Sequence, residues 1–478
     1  MRLNMGAAWV GFLFLLAYSW VIFCEENCGT FHMRCDSKTI QNGANKAIVD
    51  SNIMGELYEN ASKAQGNAKM VKGIKGLKVK DMRPPNVTVD YLPDEGTRMC
   101  IISQLTVGGK SFIGGPMEIT VKNNMSILCE IKKNTKKELE IDLKKCRVDL
   151  ISCKTNLPSS MLPKIVAKFL NSTLTKVMPG MMCPAAEKVV KVMEKMTSSS
   201  WQKQPIGDRG AIEYKLCKDP KITQDGAMLQ LETVIHKKNG DKIEMPQRAK
   251  MPKEMPPKKE GFTDVLISAD YMDALMELFA DDFRCDVNKA KVSSLTIGKL
   301  AKMIPSISKS QPASKAVKAE IRLKEPVKHS LGPNGSYMTV HSSVNLIAEP
   351  KGKILFSFEM VQRWDVDYAV EDEKLKLKIK SVSTKEIKVT SKSPGKVEME
   401  PLKKYMQDIV KTACMPAVNK ALSDNLVPLP NLMAATYEES TKEFKKLPDA
   451  LMMHIHSEPV DFSNLVKKMG EITSKGEH

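Results

Sequence analysis

Alternating hydrophobic and polar residues recur along both halves of the chain and predict a protein rich in antiparallel strands. The clearest case is Lys374–Lys380, where Leu, Leu and Ile alternate with lysine, so one strand face is apolar and the other basic. The same reasoning predicts further strands, some separated by paired glycines. They span residues 87–91, 98–107, 112–121, 125–132, 139–150, 211–217, 227–236, 295–304, 319–323, 337–348, 354–361 and 385–397.

A long amphipathic helix follows the strands in each half. In the first helix, an apolar stripe at helical spacing includes Ile165, Phe169, Leu170 and Val177. In the second, Ile409 and Val410 lie on the corresponding stripe. The spacing of apolar residues predicts another helix over residues 39–69 and a strand that runs into a helix over residues 263–280.

Each long helix is interrupted by a proline that closely follows a cysteine, in Cys183-Pro184 and in Cys414-Met415-Pro416. The two prolines lie about half the chain length apart. Between the halves, residues 245–259 are rich in proline and lysine and predict an extended linker. This repeated order indicates a duplicated fold, so function is expected in a surface or cavity that both halves form.

The N-terminus predicts export. Residues 1–24 form a signal peptide in this interpretation, with Arg2 before the apolar run Gly11–Phe23; an uncleaved membrane anchor is the alternative. Cleavage after Cys24 leaves ten of the eleven cysteines, an even number that suits an oxidising compartment. Five glycosylation sequons agree with secretion into the extracellular space. They begin at Asn60, Asn86, Asn124, Asn171 and Asn334.

The chain is basic, and this narrows the expected partners. Lys and Arg total 73 against 56 acidic residues, a net charge of +17, which favours phospholipid, lipopolysaccharide or another polyanionic surface. Aromatic residues make up only 5%, too few to favour base stacking, so no nucleic acid is expected. The Lys374–Lys380 face is either an anion-binding face or a solvated one.

No sequence motif indicates an enzyme, a cofactor or a metal site. His454 and His456 lie on one strand face, but a third zinc ligand is not evident. Gly108-Gly109-Lys110-Ser111 lacks the earlier glycine of a phosphate-binding loop, because position 104 is Gln104. We therefore expect a binding protein.

The order of elements, the cysteine–proline breaks, the central linker and the segments Val418-Asn419-Lys420-Ala421-Leu422 and Val427-Pro428-Leu429-Pro430 resemble a known family. It is the superfamily of bactericidal/permeability-increasing protein (BPI) and lipopolysaccharide-binding protein, and within it the long PLUNC branch, BPI fold-containing family B. The resemblance implies an α+β fold. Two tandem domains, each an antiparallel barrel wrapped on a long amphipathic helix, are joined by a central sheet into a boomerang. The expected segments are 25–218 for the first barrel domain, 219–261 for a central strand and linker, and 262–478 for the second barrel domain.

The resemblance also implies an apolar lipid pocket between each barrel and its helix. The candidate lining residues are Ile165, Phe169, Leu170, Val177, Ile409 and Val410. A basic run near such a pocket is a candidate for binding anionic headgroups. This run comprises Lys69, Lys72, Lys75, Lys78, Lys80 and Arg83.

A disulfide between Cys146 and Cys183 is implied in the same way. Cys153 lies seven residues after Cys146, so on a regular strand it points to the opposite face and has another partner or none. Cys285 and Cys414 form a further candidate pair, because both lie in the second half beside its helices.

The leading hypothesis is a secreted glycoprotein that holds phospholipid or another amphipathic molecule in apolar pockets, with a role in mucosal innate defence. A carrier of odorants or pheromones is a narrower variant. The alternative is a protein that binds bacterial polyanions, lipopolysaccharide or epithelial surfaces by charge, without carrying lipid.

Overall fold

The structure is a computed structural model that describes residues 29–50, 53, 74–111, 115–156, 164–247, 251–252, 254–280, 283–350, 352–392, 395–430 and 444–456. These residues form three antiparallel sheets and the helices packed on them. One sheet belongs to the N-terminal half of the chain and one to the C-terminal half. The third, which we call the central sheet, contacts both of them. This arrangement confirms the predicted α+β fold with a central sheet.

The N-terminal sheet is a meander in which each strand pairs with the next along the chain. Its inner face is apolar because every second residue of the strands is buried, as in the alternation along β4. The long helix α2 packs on β5. The strands are β2 (Ile74–Leu92), β3 (Gly96–Ser111), β4 (Pro116–Lys133) and β5 (Leu139–Thr155), and the helix is α2 (Lys164–Trp201).

The central sheet combines strands from segments far apart in sequence. The order is β19-β20-β11-β1-β9-β7-β6, and β8 and β10 also pair with β9. The N-terminal strand β1 therefore lies inside the sheet, between β9 and β11, and helix α1 (Ser37–Asp50) follows it. The strands are β1 (Phe31–Cys35), β6 (Gln204–Ile206), β7 (Gly210–Leu216), β8 (Lys221–Thr223), β9 (Gly226–Lys237), β10 (Lys242–Ile243), β11 (Phe262–Ser268), β19 (Lys445–Leu447) and β20 (Ala450–His456).

The C-terminal sheet has the order β12-β13-β15-β16-β17-β18, with β14 paired to β15. Helices α5 and α6 pack against β17, and a π-helical turn joins them. The strands are β12 (Arg284–Val287), β13 (Val317–Leu323), β14 (Lys328–Gly332), β15 (Gly335–Ala348), β16 (Lys353–Glu371), β17 (Lys374–Val389) and β18 (Val427–Pro428). The helices are α3 (Ala269–Ala280), α4 (Ile297–Ala301), a 3-10 turn (Pro305–Ser310), α5 (Met399–Ile409), the π turn (Val410–Cys414) and α6 (Met415–Asp424).

Most of the predicted strands are present, but the strand predicted at residues 295–304 is wrong. Thr296 instead caps the short helix α4, its hydroxyl accepting a hydrogen bond from the Lys299 amide at 3.4 Å. The buried residues Ile297, Leu300 and Ile304 are spaced three and four apart, which suits a helical segment better than a strand. The helix predicted over 39–69 is present over Ser37–Asp50, and most of the remainder lies outside the described residues.

Strand β5 contains a bulge that changes the direction of its side chains. The pairing with β4 skips Ile151, whose side chain is 52% exposed. Cys146 and Cys153 consequently lie opposite Ile127 and Val121, which share the buried face of β4. The expectation that Cys153 points away from the face of Cys146 is therefore wrong, because it assumed a regular strand.

A buried carboxylate, Asp264, connects three strands of the central sheet through its partners on either side. Asp264 on β11 lies between Arg34 on β1 and His454 on β20 in the pairing register. Its carboxylate accepts a hydrogen bond from Arg34 Nε at 2.9 Å and contacts His454 Nδ1 at 2.6 Å. Because Asp264 is 0% exposed, these partners compensate for the loss of its hydration.

We predict that Asp264→Ala lowers the free energy of unfolding by about 3–5 kcal/mol, because it leaves the buried Arg34 guanidinium without its carboxylate. Denaturant unfolding followed by circular dichroism measures this effect. The matched control is Asp90→Ala, which removes an exposed ion pair with Arg98 at 3.0 Å and changes stability by about 1 kcal/mol or less. Equal effects of the two substitutions would contradict the prediction.

Candidate functional site

The C-terminal helical segment changes character at the π turn. Leu402, Met406 and Ile409 before it, and Val410 at its first position, are all buried in the core. Pro416 has no amide hydrogen for the preceding turn, and the Met415 amide bonds the carbonyl of Val410, five residues back. The wider turn carries the apolar stripe on into α6, where its residues are smaller and more exposed.

Helix α6 is held against the central sheet at its C-terminal end. The buried Asn425 side chain accepts a hydrogen bond from the Asp208 amide at 3.1 Å and donates one to the Ala421 carbonyl at 2.9 Å. Gly207 allows this approach, because its φ is +51° and any side chain there would collide with Asn425 Oδ1. The turn between β6 and β7 therefore lies directly beside α6.

A cavity of about 160 Å³ lies between this helical segment and the start of the C-terminal sheet. Its walls are mainly apolar and come from α3, the residues leading into β12, and the π turn with α6. The Cys285–Cys414 disulfide, with Cα atoms 5.8 Å apart, contributes both of its cysteines to the wall. The apolar lining residues are Phe279, Phe283, Cys285, Ala413, Cys414, Ala417, Val418, Ala421 and Leu422.

Three basic residues, Arg209, Arg284 and Lys291, complete the lining of this cavity. Arg284 Nε contacts an oxygen of Asp286 at 3.2 Å, and Lys291 donates to the Asp286 carbonyl at 2.9 Å. Partial burial acts to raise the pKa of the Asp286 carboxyl, but hydrogen bonds from Arg322 and Lys318 outweigh it and hold the pKa below its ordinary value. Asp286 therefore stays ionised near neutral pH.

A second, more open cavity of about 430 Å³ continues along α6. The two cavities share Arg209, Ala417 and Ala421. The second adds only polar residues, namely Asp208, Lys420, Asp424 and Asn425. Together they form one groove, which we call the α6 groove, with an apolar end beside the disulfide and a polar end beside the β6–β7 turn.

The predicted pocket residues are related to the α6 groove but do not line it. Ile409 and Val410 are each 1% exposed and pack in the core. The groove lies one to three turns further along the same stripe. Ile165, Phe169, Leu170 and Val177 lie on α2, but their side chains are outside the described part of the structure.

Sequence reasoning missed the residues that line the groove. Along the helical stripe, small residues replace bulky ones at intervals of four, at Ala413, Ala417 and Ala421. This pattern is the signal in the sequence that could have located the groove. Arg209 carried no such signal, because it belongs to the other half of the chain and reaches α6 through the central sheet.

Within the described residues, the basic run predicted to bind headgroups does not form a site. Lys69 and Lys72 lie outside them, and the backbone at Lys75 and Lys78 belongs to β2. Lys80 pairs with Glu118 at 2.6 Å, and Arg83 lies 3.9 Å from Asp81. Both of these side chains are exposed and paired with acids.

The lysine face of β17 is likewise partly neutralised. Lys376 pairs with Glu371 at 2.6 Å, and Lys380 pairs with Asp367 at 3.4 Å. Both acids lie on the neighbouring strand β16. This cross-strand pairing favours the interpretation of a solvated face.

The Cys146–Cys183 disulfide is present and joins β5 to α2, with Cα atoms 5.9 Å apart. Cys217 is also disulfide-bonded. Among the described cysteines, Cys35, Cys100, Cys129 and Cys153 are free thiols. Burial raises the pKa of Cys129 to about 12 and raises that of Cys153, so these two thiols are poor nucleophiles at neutral pH.

The sequons differ in where the structure places them. Asn86 is exposed on β2, Asn171 on α2, and Asn334 on the turn between β14 and β15. Asn124 is half-buried on β4, and Asn60 lies outside the described residues.

Within the described ranges, no set of three or more His, Cys, Asp or Glu residues is arranged to hold a metal ion. His454 contacts Asp264, and His456 packs edge-on against Phe262, with ring centroids 5.4 Å apart. A search of the described helices also finds none that is long and apolar enough to span a bilayer.

Comparison with known proteins places this architecture in a family. A model of the N-terminal domain of the LBP/BPI/CETP family matches residues 37–193. Human BPI fold-containing family B member 6 is 30% identical over 424 residues, which cover 87% of this chain and 93% of that protein. Mouse BPI fold-containing family B member 3 is 21% identical over 379 residues, covering 78% of this chain and 79% of that protein.

The fold comparison agrees with the sequence comparison. The crystal structure of lipopolysaccharide binding protein aligns over 91% of this chain and 100% of its own, with a TM-score of 0.58 and 14% sequence identity. At that identity the likeness concerns the fold alone. Since the sequence match to family B extends across both halves, the chain belongs to the BPI fold-containing family B branch of the LBP/BPI/CETP family.

Proposed function

We propose that this protein binds amphipathic lipids non-covalently and that the α6 groove is one of its binding sites. The observation that carries the proposal is the composition of the groove. An apolar cavity between a helix and a sheet opens toward a polar end, where Arg209 and Lys420 lie beside Asp208 and Asp424. This arrangement suits a ligand with a hydrocarbon tail and a polar headgroup whose anionic part Arg209, a basic residue from the other half of the chain, would bind.

Size and energy agree with a single-chain ligand. The apolar cavity alone, about 160 Å³, is smaller than the roughly 300–1,000 Å³ typical of sites for small molecules. The adjoining 430 Å³ cavity brings the groove into that range. Each methylene group transferred from water to the apolar end contributes about 0.8 kcal/mol.

Family membership supports the same class of ligand. A protein of the same fold is named for binding lipopolysaccharide, which combines acyl chains with anionic groups. We propose phospholipid or a related amphiphile for this chain. We also propose secretion as a glycoprotein into the extracellular space, where mucosal innate defence or the carriage of odorants would use this binding.

The second candidate function, binding of polyanions by charge alone, is favoured by the net charge of +17. It predicts affinity that falls steeply with salt and is indifferent to neutral lipid. The ion pairs of Lys376 and Lys380 on β17 favour the lipid hypothesis instead, because they reduce the free positive charge that a polyanion could bind on that face.

We predict that Ala417→Trp removes the lipid held in the α6 groove and so lowers the lipid retained, because an indole at this position fills the part of the groove that both cavities share. The measurement is native mass spectrometry of protein purified after incubation with phospholipid vesicles. Wild-type protein is expected to carry lipid mass that the variant lacks.

The matched control for this substitution is Ser423→Trp, an exposed position on the same helix that lines neither cavity. This variant should retain lipid as the wild type does. Undiminished lipid on Ala417→Trp would contradict the α6 groove as a site, and a wild type that never acquires lipid would contradict the proposed function as a whole.

We predict that Arg209→Gln weakens binding of lysophosphatidic acid by about 10- to 100-fold, the range expected for losing a charge-assisted hydrogen bond. Binding of lysophosphatidylcholine with the same acyl chain should change much less, because its headgroup carries no net charge. Fluorescence displacement titrations measure both affinities. Arg98→Gln, an exposed arginine of the N-terminal sheet, is the control. Equal losses for both lipids would argue against Arg209 as a headgroup contact.

A further inference from the structure

The outer face of the N-terminal sheet carries two sequons that the strand pairing brings together. In one row across the strands, Asn86 on β2 lies opposite Ile102 on β3, which lies opposite Asn124 on β4. In the next row, Thr88, Cys100 and Ser126 are aligned in the same way. The two sequons are therefore in register, one strand apart on each side of β3.

The alternation of each strand puts both sequons on the same side of the sheet. Val87 and Met125, the middle residues of the two sequons, are buried on the inner face together with Ile101. Asn86 and Thr88 are exposed, and Asn124 and Ser126 are half-buried. With strands about 4.8 Å apart, the two asparagines lie roughly 10 Å from each other.

Two residues between the sequons, Ile102 and Cys100, have side chains that are better covered than exposed in an oxidising compartment. Ile102 is 36% exposed, one of the larger hydrophobic side chains on the described surface. Cys100 is a half-buried free thiol whose Sγ lies 4.0 Å from Ser126 Oγ. Exposed thiols are open to oxidation and disulfide exchange.

The Oδ1 atom of Asn124 is buried and accepts no hydrogen bond from the described residues. The neighbouring Asn123 faces the opposite side of the strand, and its Oδ1 accepts a hydrogen bond from the Ser103 hydroxyl at 2.8 Å. A buried polar atom without a partner calls for an explanation, and a modification of the Asn124 amide supplies one.

We propose that Asn86 and Asn124 are a paired N-glycosylation site whose two glycans cover Ile102 and the Cys100 thiol. The outer face of the N-terminal sheet is then a shielded surface. Ligand and membrane contacts are left to other faces of the molecule, which include the α6 groove. The pairing depends on strand register and cannot be read from the spacing of the sequons.

The test begins with the full chain, including its own N-terminal segment, produced in a eukaryotic secretory cell line. Enzymatic deglycosylation in ¹⁸O-labelled water followed by peptide mapping reports which asparagines carried glycans. Both Asn86 and Asn124 are expected to be modified. The intact mass should fall by one glycan in each of Asn86→Gln and Asn124→Gln and by two in the double variant, while the control Thr88→Ser keeps its sequon and both glycans.

Shielding is tested on the wild-type protein without any substitution. Labelling of Cys100 by a bulky polymer-linked maleimide is compared before and after the glycans are trimmed to a single sugar. Trimming should speed this labelling several-fold and leave labelling by a small maleimide much less changed. Cys153, which faces the interior of the same sheet, serves as the internal control.

An unmodified asparagine at either position would overturn the pair. Two occupied positions with labelling of Cys100 that is insensitive to trimming would overturn the shield. Neither outcome bears on lipid retention by the α6 groove, so failure here is distinguishable from failure of the proposed function.

Discussion

The carboxylate of Asp264, buried between Arg34 and His454, is the interaction on which the joining of the two halves depends. It connects β11 to β1, through Arg34 230 residues earlier in the sequence, and to β20, through His454 190 residues later. A shift of one residue in either pairing would move Arg34 or His454 to the opposite face of the sheet and leave the buried Asp264 without one of its partners. The register of the central sheet is therefore set by electrostatics as well as by hydrophobic alternation.

The same sheet also holds the end of the C-terminal helical segment. Around Phe31 in β1, the rings of Tyr214 and Tyr271 pack edge-on, with centroids 5.3 and 4.8 Å away. The hydroxyl of Tyr214 donates to the carbonyl of Pro428, just beyond α6, at 2.6 Å. The Cys146–Cys183 and Cys285–Cys414 disulfides attach the two helical segments to the N-terminal and C-terminal sheets, each close to the proline that follows the cysteine in the helix. The repeated cysteine–proline pattern thus has a common structural meaning in both halves.

Much of this architecture was predictable because it depends on local alternation. The lysine strand at 374–380, the strand and helix at 263–280 and both long helical segments are present in the structure. The break predicted at Pro184 is wrong, because the first helix runs on through that proline, whereas the second segment is interrupted by a π turn before Pro416. The errors occurred where one residue changes the pattern. Ile151 bulges from β5 and reverses the face of Cys153, and Thr296 caps a helix within a segment that looks like a strand. For the α6 groove, the alanines of the helical stripe were a signal for one wall only, and the complete site was beyond prediction because its walls come from three separate segments that only the fold brings together.

The position of Arg209 shows how the central sheet shapes the candidate site. The residue lies on the β6–β7 turn, which α6 approaches closely enough that position 207 must be glycine. Asn425 fixes the distance between the turn and the helix by bonding to both. The polar end of the groove is therefore preorganised by backbone contacts, while its apolar end is bounded by small side chains and a disulfide. A preorganised polar end lets the site discriminate among headgroups at little cost in ordering, while the space beside Ala413 and Ala417 limits the tail that can accompany the headgroup.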